Sequence, residues 1–315
     1  MDEKKEKKEK YFDISLMEKI HSIILNEQIG PLILLNKNPS FACGMESGTI
    51  RIYDKNSPYN HQLTIQAHSK QIFALLETKN GELISGSCDC LIKLFLYDLI
   101  LKNFNCLLIL IGHKSAINYV IELENNNNYV SCSLDNTIRI WDKKTKQTIS
   151  NFYIDNNVWT ILENENKIIF IPNEDINKKG LFLIDYKIGN IEKKIDDINC
   201  TGTNGLYKIN NNLIAVASLG DVYIVDIKNY IIKNKMKFEF QSFFWCAYLL
   251  SDGSLVTSGD DKNIIQWDIK KYKLINKKMD IHEHSVPAIV EIENNILITA
   301  SYDGQIKFWK LKYMK

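Results

Sequence analysis

Strand-length apolar runs alternate with short polar turns along this chain, and one pairing recurs. A strand of small and β-branched residues enters a tight turn containing Asp, and a second strand then closes on a large apolar residue. The clearest copies are Tyr129-Val-Ser-Cys-Ser-Leu-Asp-Asn-Thr-Ile-Arg-Ile-Trp-Asp142, Leu255-Val-Thr-Ser-Gly-Asp-Asp-Lys-Asn-Ile-Ile-Gln-Trp-Asp268 and Leu297-Ile-Thr-Ala-Ser-Tyr-Asp-Gly-Gln-Ile-Lys-Phe-Trp-Lys310. Four weaker copies place Tyr53, Phe95, Ile184 and Val225 where these have Trp. The seven positions, 53, 95, 141, 184, 225, 267 and 309, are spaced by 42, 46, 43, 41, 42 and 42 residues.

A unit of four short strands repeated about every 40–45 residues is the signature of a β-propeller. The expected fold is therefore all-β: one seven-bladed ring of four-stranded antiparallel blades over residues 11–315. The chain ends soon after the seventh Trp-position strand, which leaves the last blade with three strands. A strand over Lys19–Asn26 precedes the first full unit and has no partner of its own. Set against the outer edge of the last blade, it closes the ring and covers an open edge. Residues 1–10, Met1-Asp-Glu-Lys-Lys-Glu-Lys-Lys-Glu-Lys10, alternate acid and base with no further apolar residue and are expected to be a solvated tail. The Asn runs at Asn125–Asn128 and Asn210–Asn212 fall between paired strands and read as hairpin tips.

These residues resemble the WD-repeat family of β-propellers. The resemblance implies a hydrogen-bonded set in each strong blade: His before the innermost strand, Ser or Thr on the second, Asp in the next turn, and Trp on the third. Blade three supplies His113, Ser131, Asp135 and Trp141; blade seven supplies His282, Thr299, Asp303 and Trp309. Blade two has His68, Ser85 and Asp89, with Phe95 in place of Trp. Blade six keeps Thr257, Asp261 and Trp267 but has Phe240 at the His position. His282 is chosen over His284 because it lies 27 residues before its Trp, as His68 lies before Phe95. Blades one, four and five are recognised by spacing and by Gly48-Thr-Ile-Arg-Ile-Tyr53, Gly180-Leu-Phe-Leu-Ile-Asp185 and Gly220-Asp-Val-Tyr-Ile-Val-Asp226. The role of these sets is structural, since a buried carboxylate needs donors to offset its desolvation.

Composition narrows function by exclusion. Lys plus Arg number 39 and Asp plus Glu 38, for a net charge of +1. That gives no basic footprint for nucleic acid and no pull toward an anionic membrane. No apolar run approaches a membrane span; the densest, Cys106-Leu-Leu-Ile-Leu-Ile-Gly112, is strand-length. The N-terminus lacks the apolar core of a secretory signal, so the expected location is the cytoplasm, with the nucleus as the other option. Seven Cys suit free thiols, with Cys43 and Cys132 as packing residues. Cys88-Asp-Cys90 lacks a second cluster to complete a metal site. There is no phosphate loop, nucleophile elbow or His-Glu-x-x-His run, and no cofactor is implied.

The expected function is therefore a non-enzymatic interaction scaffold, monomeric on its own, holding a protein or peptide partner within a larger complex. The family resemblance implies that the partner sits on the face whose loops enter the innermost strands. Five positions after the His, side chains point to the channel rim: Pro31, Phe73, Asn118, Trp159, Asn204, Trp245 and Pro287. Three positions after it come Gln71 and Phe243; the residue before the turn Asp adds Glu46, Asp260 and Tyr302. Three of five Trp belong to the blade sets, and the other two, Trp159 and Trp245, fall on this rim. They read either as interface anchors or as packing beneath their own loops. Trp141-Asp-Lys-Lys144 and Trp267-Asp-Ile-Lys270 loosely resemble the Trp-Asp-x-Arg element of propellers that act as substrate receptors or adaptor subunits of ubiquitin ligases. Lys replaces the Arg, and lacks its planar fork.

Overall fold

The computed structural model describes residues 11–37, 40–56, 58–98, 103–126, 128–172, 180–198, 205–239, 242–293 and 295–314. The charged tail over 1–10, Asn204 and Phe240 lie outside them. The strands form seven four-stranded antiparallel sheets, each a meander of consecutive strands except the last. Blade one runs Ile29–Leu35, Ser40–Met45, Thr49–Asp54 and His61–Gln66. The innermost strands of the next five blades are Ile72–Glu77, Ile117–Glu122, Val158–Asn164, Gly205–Lys208 and Phe244–Leu249. No helix among the described residues is long and apolar enough to cross a membrane.

Each sheet is covered on both sides by its neighbours, so its second strand is apolar or small throughout. Leu83–Ser87, Tyr129–Ser133 and Leu255–Gly259 are buried at every position. The core is a ring of clusters between blades: Val130 and Ile138 of blade three pack with Val158 and Ile168 of blade four. At roughly 1.5–3 kcal/mol for each buried aliphatic side chain, cohesion of the ring lives in these inter-blade layers. Outer strands have one wet side and alternate, as in the exposed and part-buried positions of Ile231–Lys237. At the hairpin tip near residue 211, Asn210 Oδ1 accepts from the backbone N–H of Asn212 and Leu213.

Blade seven consists of Ala288–Ile292, Ile296–Ala300 and Gln305–Lys310, with Glu18–Ile24 as its outer strand. The pairing runs antiparallel from Glu18 opposite Lys310 to Ile24 opposite Gln305. The chain's beginning thus closes its end. The closure extends further upstream than the strand itself. Phe12, Ile14 and Met17 are buried among Leu250, Val256, Ile264 and Trp309. Gln266 Nε2 donates to Phe12 O at 2.9 Å, and Lys278 Nζ to Ser15 O and Met17 O at 3.0 and 3.1 Å. Residues 11–17 are therefore a strap across blades six and seven.

Five of the seven innermost strands, those of blades one, two, three, four and six, share an irregularity that positions the rim. Their pairing with the second strand slips between Ile29 and Leu32, Ile72 and Ala74, Ile117 and Tyr119, Val158 and Ile161, and Phe244 and Cys246. The residues inside these slips include Pro31, Phe73, Asn118, Trp159 and Trp245. A β-bulge adds a residue without a cross-strand partner and re-aims its side chain.

Candidate partner-binding site at the channel mouth

The bulges of blades two, four and six bring three aromatic rings together. Phe73 and Trp159 lie 6.4 Å apart between ring centroids at 67°. Trp159 and Trp245 lie 5.8 Å apart at 80°, edge to face. All three are half-buried. They cap one mouth of a central cavity of about 560 Å³, whose wall includes Pro31, Asn118, Pro287 and Tyr302. Trp245 is oriented from its polar end: its Nε1 donates to Asp260 Oδ1 at 2.5 Å, and Ser285 Oγ donates to the same oxygen at 2.7 Å. Each of the two Trp thus reaches beyond its own blade. They pack on each other across the channel.

The other rim residues divide by exposure. Asp260 and Glu46 are exposed, as is Phe243 at 40%. Gln71 is half-buried. Tyr302 is half-buried, with its ring 5.9 Å from that of His284. Asn118, expected on the binding surface, is instead 1% exposed. Its Nδ2 donates to Val158 O at 2.8 Å and ties blade three to blade four, while its Oδ1 has no partner among the described residues. The short amide reaches the next blade's backbone, which removes it from the surface.

Beneath the rim, the hydrogen-bonded sets hold the loops. In blade three Trp141 Nε1 donates to Ser131 Oγ at 2.8 Å, Ser131 Oγ lies 2.7 Å from His113 Nε2, and His113 Nδ1 lies 2.8 Å from Asp135 Oδ2. A neutral His with its proton on Nδ1 satisfies every member of that chain. Blade seven repeats it through Trp309, Thr299, His282 and Asp303, at 3.0, 2.7 and 2.9 Å. Blade two has His68 bonded to Ser85 and Asp89, at 2.8 and 2.9 Å, with Phe95 contributing no donor. Each Asp also accepts the backbone N–H of the residue after its His: Ser69, Lys114 and Glu283. Burial alone would raise the Asp303 carboxyl, but the His282 ring and the N–H groups of Glu283 and Gln305 outweigh it and hold it at about 2. The Asp89 and Asp135 carboxyls are likewise held low against their burial. Burial pushes His68 and His282 down, toward the neutral form.

Blade six departs from this arrangement. Trp267 Nε1 donates to Thr257 Oγ1 at 2.9 Å, as in the strong blades. Asp261 has no His partner; its Oδ1 accepts from Asn263 N at 3.3 Å, and its buried Oδ2 has no partner among the described residues. Desolvation therefore raises the Asp261 carboxyl above its ordinary range. The expected set is only half assembled, because the residue at the His position is Phe240.

On the opposite face lies a feature the sequence reading missed. Glu77 accepts the backbone N–H of Asn36 at 2.5 Å, Glu122 that of Lys79 at 2.7 Å, Glu163 that of Glu124 at 2.7 Å, and Glu291 that of Ser251 at 2.6 Å. Each clamps the preceding blade's first hairpin. The signal was available as Leu-Leu-Glu77, Val-Ile-Glu122, Ile-Leu-Glu163 and Ile-Val-Glu291, two apolar residues and Glu at or one residue before the end of an innermost strand. Among the described residues no group of three or more His, Cys, Asp or Glu could hold a metal ion.

Comparison with known proteins agrees with the fold. The family described as WD domain, G-beta repeat matches residues 59–95, 104–142 and 277–310. Those segments hold the third-strand ends of blades two, three and seven, the blades with a His–Asp pair. The WD repeat-containing protein 55 homolog of Drosophila ananassae is 23% identical over 277 residues, 85% of this chain and 55% of that protein. The p21-activated protein kinase-interacting protein 1-like of Danio rerio is 23% identical over 279 residues, 88% of this chain and 62% of that protein. The chain thus spans little more than half the length of the curated relatives it matches. Among solved structures, the WD40 beta propeller domain of Doa1 superposes with a TM-score of 0.78 at 16% identity, over 94% of this chain and 97% of that one.

Proposed function

We propose that this chain, a WD-repeat β-propeller, is a non-enzymatic scaffold that holds a protein or peptide partner on its channel-rim face. One observation carries the reading: Phe73, Trp159 and Trp245 come from bulges on alternate blades and converge at one mouth of the channel. None of them belongs to the repeated His–Asp sets that stabilise the blades. Half-buried aromatics framed by polar groups are the usual energetic centres of interfaces, and Pro31, Pro287, Tyr302, Glu46 and Asp260 supply the surround. The near-neutral charge suits a protein partner better than a nucleic acid or a membrane surface. One relative is named for interaction with a protein kinase, which is a role of the same general kind. In this reading the chain works as one subunit of a larger assembly in the cytoplasm or nucleus.

Affinity capture from native cells tests the proposal. The unmodified chain should retain partners that Phe73→Ala/Trp159→Ala/Trp245→Ala loses, at unchanged secondary structure by circular dichroism. Equal capture by both would reject the rim. A ligase adaptor that co-purifies independently of the three aromatics would favour the ubiquitin-ligase alternative.

A further inference from the structure

The wall of the central cavity has an unusual chemistry. Among the described residues that line it, seven are aromatic, Phe73, Trp159 and Trp245 among them, and none is Lys, Arg, Asp or Glu. The edge-to-face contact of Trp159 and Trp245 sets the electropositive rim of one indole against the electronegative face of the other. An ammonium or guanidinium group is drawn to that same face more strongly than a ring edge is. No Lys or Arg among the described wall residues competes for it. Asn118 also lines the cavity, and its buried carbonyl oxygen has no donor among the described residues, its amide nitrogen being committed to Val158 O. A buried acceptor left unpaired is costly, so a ligand bringing N–H groups gains by meeting it. Outside the cap, the exposed Asp260 and Glu46 add negative charge at the entrance.

We propose that the channel mouth receives a cationic side chain, Lys or Arg, presented by an exposed basic segment of the partner protein. The cation displaces one indole edge from the other's face, and its N–H groups meet Asn118 Oδ1. The hydrocarbon stem of either side chain lies against Phe73 and the rim prolines. This rests on the reading of the rim as the partner-binding face and assigns the chemistry that the face recognises.

The probes are four blocked pentapeptides, Gly-Gly-X-Gly-Gly, in which X is Lys, Arg, or their neutral isosteres norleucine and citrulline. Binding is followed by Trp fluorescence and by the indole N–H resonances of Trp159 and Trp245. The Lys or the Arg peptide should bind saturably, shift both indole resonances, and exceed its isostere by about thirtyfold, the ratio expected of a desolvated cation–π contact. Trp245→Leu should reduce the cationic peptide to the level of the isostere. Equal binding of cationic and neutral peptides overturns the proposal, as does the lack of saturable binding by both cationic peptides. So does binding of a cationic peptide that survives Trp245→Leu. The isostere comparison uses the unmodified protein and does not depend on the variant's folding. Should capture of partners depend on the three aromatics while all four peptides behave alike, the rim reading stands and the cation proposal falls. Capture independent of the aromatics fails the rim reading itself.

Discussion

Trp159 and Trp245 meet edge to face across the channel mouth, from blades four and six, with ring centroids 5.8 Å apart and planes at 80°. Neither blade is adjacent to the other, so the contact spans the ring rather than a blade interface. Aromatic pairs of this geometry contribute about 0.5–1.5 kcal/mol beyond the area they bury. A double-mutant cycle with Trp159→Leu and Trp245→Leu, followed by urea unfolding, should return a coupling of that size. Strict additivity would mean that the two rings do not hold each other in solution.

The two kinds of blade Asp should respond oppositely to substitution. Asp135→Ala removes the acceptor for His113, Lys114 N and Thr137, and should cost about 1–3 kcal/mol by leaving buried donors unpaired. Asp261→Asn removes a charge whose buried Oδ2 has no partner among the described residues, and should leave stability unchanged or raised. Denaturant midpoints for the two variants decide it.

Acidification should destabilise the ring in two stages. His68 and His282 are held below the ordinary imidazole value of about 6.5. The unfolded chain therefore binds protons first, and stability falls as pH drops through that value. Asp89, Asp135 and Asp303 are held below the ordinary carboxylate range, Asp303 at about 2, so their contribution is present above that range and lost as pH falls toward 2. Asp261 opposes this trend, since its raised carboxyl takes up a proton more readily folded than unfolded. In Asp261→Asn the acid loss should be steeper than in the unmodified chain. A thermal-melting series between pH 7 and 3 measures both slopes.

Closure should depend on the strap as well as on the strand. Deleting residues 1–10 should leave the melting temperature unchanged. Deleting 1–17 removes the buried Phe12, Ile14 and Met17 and should lower it, though the outer strand of blade seven remains. Deleting 1–26 should lower it further, by exposing the backbone edge of Gln305–Lys310. A 1–17 deletion that melts like the full chain would reduce the strap to incidental packing.

The glutamate clamps should behave as hydrogen-bond acceptors rather than as charges. Glu122→Gln keeps a carbonyl oxygen for Lys79 N–H and should change stability little. Glu122→Ala removes the acceptor and should cost on the order of 1 kcal/mol. Equal losses in the two would show that the carboxylate's charge, not its geometry, binds the blades together.

The amino-acid sequence by itself determined the ring. Strand alternation, Asp turns and a step near 42 residues fixed the number of blades, their four strands and the sharing of the last blade between the two ends of the chain. It also located the His–Asp–Ser/Thr–Trp sets, because both partners of each bond lie within one repeat at constant spacing. What depends on closing the ring was decided only by the tertiary structure. The Trp159–Trp245 contact joins residues whose separation has no periodic meaning, and the bulges that aim them arise from strand pairing rather than from residue type. Asn118 left the surface because a neighbouring blade's carbonyl came within reach of its amide. The strap over residues 11–17 became visible only where blades six and seven supplied a surface to cover it. Local periodicity writes each blade into the sequence; contacts between blades exist only once the ring has closed.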